Sequence, residues 1–386
     1  MKLTAFSLLL LFLLTFFKAC TDQPEMTEFI YAGTFEGRDS EGIYLFEFDR
    51  ETGELTHIDT FTDRIGPNFQ AIHPNGQFLY SVSDDLFNDE DPFGTVTAYA
   101  IDNQNGNLQL INEQSVNGRG TAHVSIDPLG IYLFVSNYSE GNIVMYQIDD
   151  DGSISEAADI VFHEGSSVNQ SRQNAAHVHS AIPSADGRFL YVSDLGIDKI
   201  MIYRIDRDNH TLAPAETPFF ENEPAAGPRH FTIHQNSQFA YSVEELTSTV
   251  AVLMIDEVTG ALQQLQRVEM LPDDFDEPNT AADIHISPDG RFLYATNRGH
   301  DSIAIYEIDE VNGMLTFIGH ESTRGAHPRN FMIDELGEFL LVANRDDDNI
   351  TVFRRNANSG LLEFVNEHTG IPMIVCLTQF IPLAAE

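Results

Sequence analysis

Apolar positions along this chain fall into two recurring patterns. The first is a short, nearly continuous run: "FIYAGT" from Phe29, "FLYSVS" from Phe78, "YLFVSN" from Tyr132, "FLYVSD" from Phe189, "FAYSVE" from Phe239, "FLYATN" from Phe292 and "FLLVAN" from Phe339. Bounded by turn residues, such a run predicts a strand covered on both faces. The second pattern alternates, as in "NIVMYQID" and "SIAIYEID", and predicts a half-buried strand just downstream. Turn signals such as "HPNG", "DPLG" and "SPDG" precede the continuous runs. Their Pro, Asp and Gly supply the fixed or positive φ angles that tight turns need. A short strand ("FTI", "IHI", "FMI") lies upstream of the turn. A second turn ("DEVTGAL", "DEVNGML") and a fourth strand ("LTFIGHE") close the unit.

The unit recurs seven times at roughly 47 to 57 residues, the spacing of a propeller blade. The pattern predicts an all-β fold, a seven-bladed β-propeller with four antiparallel strands per blade. The first repeat lacks its innermost strand. "GIPMIVCLTQF", near the end of the chain, matches the innermost strands, with Pro372 set against Pro228. This C-terminal strand is expected to close the first blade and remove a free edge. Residues 27–386 then form one propeller domain.

Composition agrees with strands. There are 28 Phe, 12 Tyr and no Trp, with 42% hydrophobic residues. A net charge of −40 argues against a charged face for nucleic acid or an anionic membrane. Two cysteines make no disulfide framework. The N-terminus "MKLTAFSLLLLFLLTFFKAC" carries Lys2, an apolar run from Leu3 to Phe17, and Ala19 before Cys20. It predicts a signal peptide over residues 1–19. Cys20 would be the lipidated first mature residue, as in bacterial lipoproteins, although Lys18 departs from that box. Residues 20–26 read as a tether. The expected location is periplasmic or cell-surface, with membrane contact through the lipid anchor alone; cytoplasmic retention is the alternative.

Candidate chemistry comes from aligning the repeats. In an antiparallel hairpin, the start of the innermost strand and the end of the next lie at the same end. The first register at that end reads Asn68, Ala122, His179, Arg229, Ala282 and Arg329. The next reads Phe69, His123, Ser180, His230, Asp283 and Asn330. Just past the second strands come Tyr138, Glu245, Arg298 and Arg345. Arg229 and Glu245 should therefore meet at one mouth of the central channel, flanked by His179 and Arg298 from neighbouring blades. The preceding register (Thr34, Ser83, Asn137, Asn297 and Asn344) is expected to satisfy backbone groups. So many guanidiniums in a base-poor chain imply an anion at this mouth. The long loops "HEGSSVNQSRQNA" and "PDDFDEPNTA" rim it. No metal or cofactor is expected. "HVHS" pairs His177 with His179 without a third ligand, and the acidic "DDLFNDEDPFG" lacks calcium-loop spacing.

The stretches "RQNAAHVHSAIPSADGRFLYVSDLGIDKIMIY", "GPRHFTIHQNSQFAYSVEEL", "AADIHISPDGRFLYATNRGHDSIAIYEID" and "HPRNFMIDELGEFLLVANRDDDNITVF" resemble the propeller-type lactonase family, over residues 27 to 380. The family also includes a fungal carboxy-cis,cis-muconate lactonizing enzyme. The resemblance implies hydrolysis of a sugar lactone, such as 6-phospho-D-glucono-1,5-lactone to 6-phosphogluconate. It implies functional roles for His179 in the "HS" pair, Arg229 in "GPRH", Glu245 closing the next strand, and Arg298 in "NR". His179 suits a general base, and Glu245 would orient it or act as the base itself. Arg229 and Arg298 would hold the oxyanion or a substrate anion. Arg329, His230, Asp283 and His123 are the expected substrate-binding residues. Alternatives are an exported lactonase for another lactone, a lactonizing cyclase, or a non-catalytic binding propeller.

Overall fold

The computed structural model describes residues 27–84 and 92–383. The signal peptide, Cys20, the tether and most of the acidic loop therefore lie outside the described residues. Among those described, 28 strands form seven four-stranded antiparallel sheets, and the one helical turn is the 3₁₀ segment Leu195–Ile197. Blade five shows the pattern. Its strands run Pro228–Ile233, Phe239–Glu244, Thr249–Ile255 and Leu262–Glu269, from the channel outward. No helix among these residues is long and apolar enough to cross a membrane.

Closure is as expected. Ile374–Phe380 pairs antiparallel with Glu28–Thr34 and completes the first blade. Its register is not. Ile374 pairs with Thr34, as Pro228 pairs with Glu244, so Ile374 rather than Pro372 occupies Pro228's place. Pro372 falls in the turn before the strand, next to Met373 at φ 56°. Proline marks strand starts and turns alike, so its identity could not fix the alignment.

The recurring Phe-x-Tyr of the second strands has a packing cause. The Tyr31 hydroxyl donates to Gly106 O (2.6 Å), Tyr80 to Gly152 O (2.9 Å), Tyr241 to Gly313 O (2.9 Å) and Tyr294 to Gly360 O (2.8 Å). Each acceptor lies in the outer turn of the next blade. The Phe two residues earlier packs on the same glycine: a Cβ at Gly313 would sit 2.4 Å from Phe239 Cγ, and Gly313 has φ 71°. One side chain thus fills the seam between blades and its neighbour bonds across it. Among the described residues seven apolar clusters occupy these seams. The innermost strands add polar side chains to the channel, among them Arg229, His230, Arg329 and Asn330.

Candidate active site

All seven innermost hairpins slip register at the same point. In blade five Pro228 pairs with Glu244 but His230 with Val243, so Arg229 is an extra residue. The same shift frees Asn68, Ala122, His179, Arg329 and Val375, and in blade six both Ala282 and Asp283. A bulge re-aims the side chain it carries. Strict alternation would send one of each adjacent pair away from the axis. Instead Arg229 with His230, and Arg329 with Asn330, line one small cavity of about 10 Å³, with Phe35, Asn68 and Phe69.

Arg229 and Glu245 do meet. The chain turns at the end of the second strand, where Glu245 N donates to Gly227 O, and this points the carboxylate back over the bulge. Its Oε2 lies 3.1 Å from Arg229 Nε and 2.9 Å from Arg298 Nη2. Its Oε1 accepts from Arg172 Nη2 at 2.5 Å. Arg172 belongs to the long loop between blades three and four, a position with no register in the repeat, and the alignment did not find it. The loop is fixed by Gln173, whose amide donates to Leu195 O and Asp198 Oδ1. Arg229 and Arg298 are also braced by backbone, through Ala282 O and Ala281 O.

The carboxylate side chain is 4% exposed, Arg229 2% and Arg298 6%. Burial pushes the Glu245 carboxyl up, but Arg298, Arg229 and Arg172 outweigh it and hold the group well below the usual carboxylate range. Burial and the nearby Arg298 bring Arg229 down to about 10. Arg329 lies in the same field. Its guanidinium stands 4.8 Å from the Phe35 ring, and among the described residues no carboxylate pairs with it. Burial, Arg229 and Arg298 lower it well below the ordinary arginine value. Arg345 stands at the edge of the group: its Nε is bonded to Asp346 at 2.8 Å, and its charge still helps to lower Arg329.

His179 is buried beside this cluster. Its ring is edge-on to Tyr138 (5.6 Å) and His230 (5.2 Å), and Nδ1 has no hydrogen-bond partner among the described residues. Burial, then Arg229 and His230, lower its pKa well below the ordinary 6.5, so it is neutral at pH 7. Glu245 spends its oxygens on guanidiniums and makes no bond to this ring. His177 stacks flat on Tyr138 (4.4 Å), with Nδ1 2.9 Å from Tyr138 O. Among the described residues no three His, Cys, Asp or Glu side chains gather at metal-ligand spacing.

His230, Asp283 and His123 lie one step deeper and are buried. His230 Nδ1 is 2.6 Å from Asp283 Oδ1, while Asp283 Oδ2 accepts from Asn330 Nδ2 (2.6 Å) and stands 3.0 Å from His285 Nε2. His123 packs its ring on Phe69 at 4.5 Å. In the register before the mouth, asparagines satisfy loop carbonyls, as expected: Asn137 to Val116 O, Asn297 to Met270 O and Asn344 to Thr323 O. Glu244, adjacent to Glu245, is likewise consumed by Arg267, Thr249 and Asn222.

Comparison with known proteins agrees with this architecture. The family described as "Lactonase, 7-bladed beta-propeller" matches residues 29–379. A 6-phosphogluconolactonase of Formosa agariphila is 37% identical, over 79% of this chain and 86% of its own length. One from Bacillus subtilis is 34% identical, over 80% and 86%. Among solved structures, a periplasmic gluconolactonase of Pseudomonas aeruginosa superposes with a TM-score of 0.87 at 30% identity, covering 92% of this chain and 100% of its own. A candidate 6-phosphogluconolactonase of Bacteroides fragilis gives 0.85 at 33%, covering 92% and 99%. With its seven closed blades and a match running from the first strand to the last, this chain belongs to the seven-bladed β-propeller lactonase family.

Proposed function

We propose that this protein hydrolyses a sugar 1,5-lactone bearing an anionic group, with 6-phospho-D-glucono-1,5-lactone as the leading substrate. The observation that carries this reading is the charge surplus at the mouth. Arg172, Arg229 and Arg298 share one carboxylate and Arg329 stands beside them with none, in a chain whose net charge is −40. Buried like charges are tolerated where an anion compensates them, and a substrate phosphate supplies one. Two curated relatives are 6-phosphogluconolactonases.

The chemistry follows from the side chains. One nitrogen of the neutral His179 takes a proton from water as that water attacks the lactone carbonyl. Arg298, whose Nε has no hydrogen-bond partner among the described residues, and Arg229 beside it meet the charge growing on the carbonyl oxygen. The ring oxygen departs and takes the proton back from His179. Glu245, with both oxygens engaged, anchors the guanidiniums and leaves the base role to His179. Arg329 binds the substrate's own anion. His230, Asp283 and His123 support the site from beneath.

A second reading is an unphosphorylated gluconolactone met outside the cytoplasm. It is supported by the export-like N-terminus and by the periplasmic gluconolactonase among the structural relatives. Proton release at constant pH over γ- and δ-lactones, with and without phosphate, separates the two. Under the first reading, Arg329→Ala raises KM for the phosphorylated lactone alone; equal activity on both lactones, unchanged in Arg329→Ala, selects the second. Absence of turnover on the whole panel rejects both. Export is tested by fatty-acid labelling, which should tag the wild type and spare Cys20→Ser. An unprocessed, untagged chain in the cytosol overturns it.

A further inference from the structure

Lactone hydrolysis makes an acid. Of the two protons of the attacking water, one ends on the departed ring oxygen as a hydroxyl. The other is shed by the new carboxylic acid at neutral pH and must leave a buried site. The near mouth is a poor exit for it, being ringed by guanidiniums and filled by substrate or product. Like charges a few ångströms apart in a dry site repel strongly.

The channel has a second end. There a cavity of about 370 Å³ is lined by His123, Ser180, Ile233, His234, Asp283 and His285, among others. His230 and Phe69 line both this cavity and the small one at the near mouth, and so form the partition between them. Through the partition runs a continuous hydrogen-bonded path: His230 Nδ1 to Asp283 Oδ1 at 2.6 Å, then Asp283 Oδ2 to His285 Nε2 at 3.0 Å. Its inner end is poised to accept, because His230 Nε2 is buried without a hydrogen-bond partner among the described residues, in ring contact with His179. Its outer end is open, because the His285 side chain is 41% exposed.

We propose that His230, Asp283 and His285 form a proton relay that carries the product's proton from His179 through the channel to the face opposite the substrate mouth. The proposal rests on the lactonase reading above. The steps balance without any other reactant. His179, protonated by the nascent acid, passes that proton to His230 Nε2, the two ring centroids being 5.2 Å apart. His230 gives its Nδ1 proton to Asp283 Oδ1. The Asp283 carboxyl, neutral for that moment, turns to bring the same proton to the bare Nε2 of His285 and is a carboxylate again. The His285 ring turns into the cavity and releases the proton to water, and the His230 ring turns back to restore its Nδ1–H. The groups around the path suit this direction. Burial, then Arg229, outweigh Asp283 and hold His230 down at about 4, so it does not trap the proton. Burial works against it, but Asp283 and a backbone hydrogen bond at Phe331 raise His285, so the proton rests at the outer end, beside the Phe331 ring.

The test uses the whole protein and the variant His285→Ala, a half-buried side chain outside the reacting site. Its kcat in dilute buffer should fall roughly 10- to 100-fold, at or below the lower end of what a positioned proton carrier contributes. KM should be unchanged, and imidazole small enough to enter the far cavity should restore turnover saturably. Asp283→Asn should lose turnover without imidazole rescue. A second readout needs no lactone: solvent exchange of the His230 ring N–H, followed by NMR, should slow in His285→Phe. If His285→Ala keeps wild-type kcat in dilute buffer, or loses it without any rescue, the relay is wrong even though the wild type is a lactonase. If the wild type turns over no lactone, the hydrolase reading fails. The exchange rate then decides the relay alone, and an unchanged rate rejects it.

Discussion

Glu245 is an anion with three cations fastened to it, and its value to the site is as much mechanical as electrical. Removing its charge leaves Arg172, Arg229 and Arg298 to repel one another in a dry space. Glu245→Gln should therefore lose roughly 3–5 kcal/mol of stability, the range for a broken buried pair, read as a shift in the urea midpoint at neutral pH. An unchanged midpoint means the guanidiniums do not depend on it. The sign with pH follows from the lowered carboxyl. Its contribution is complete above the unfolded pKa of about 4.3 and is lost only as pH falls through the depressed folded value, so the wild type should hold this part of its stability well into acid. His179 titrates in the same sense, since burial and Arg229 hold it neutral. The acid limb of kcat/KM should lie well below pH 6.5. In Arg229→Met the imidazole signal in NMR should move up toward its ordinary value, and a signal that stays put would remove Arg229 as a cause. These residues were legible in the sequence because each sits at a fixed offset from a repeated strand. Arg172 was not, because a loop of unique length has no offset to count from. Nor was the engagement of both Glu245 oxygens, which depends on Arg172 arriving from two blades away.

The strand hairpins explain what the repeat was for. Period-two alternation predicted the ladders well and the mouth poorly, since the bulge common to all seven inner hairpins breaks alternation where Arg229 and His230 need to share one side. Nothing in residue identity marks that bulge: its extra residue is Asn, Ala, His, Arg or Val in different blades. The tyrosine seam, by contrast, was visible as a motif before its purpose was. Two of its members make a paired prediction. Tyr241→Phe removes a buried bond and strands Gly313 O, at roughly 1–3 kcal/mol. Tyr191 occupies the equivalent position, but its buried hydroxyl has no partner among the described residues. Tyr191→Phe should be neutral or stabilising. Thermal melts of the two variants check this, and equal losses would mean the hydrogen bond is not what holds the seam.

At the scale of the molecule, the ring is sealed by pairing Glu28–Thr34 with Ile374–Phe380. Deleting residues 371–386 should lower the thermal midpoint substantially and open the first blade; a melt that does not move means the ring closes by other contacts. The closure itself was readable from a missing strand at one end and a surplus one at the other, while its register was not, because Pro372 imitates Pro228. The seal also sets a clock. Phe29, near the start of the chain, finds its partner Phe380 only when nearly the whole polypeptide has emerged, whether from a ribosome or from a translocation pore. Until then the first blade waits with an unpaired edge open to neighbouring chains. Pairing so distant in sequence is slow to form. A chain of this design is therefore most exposed to misassembly during its own synthesis, and its last few residues decide whether the first ones are ever safe.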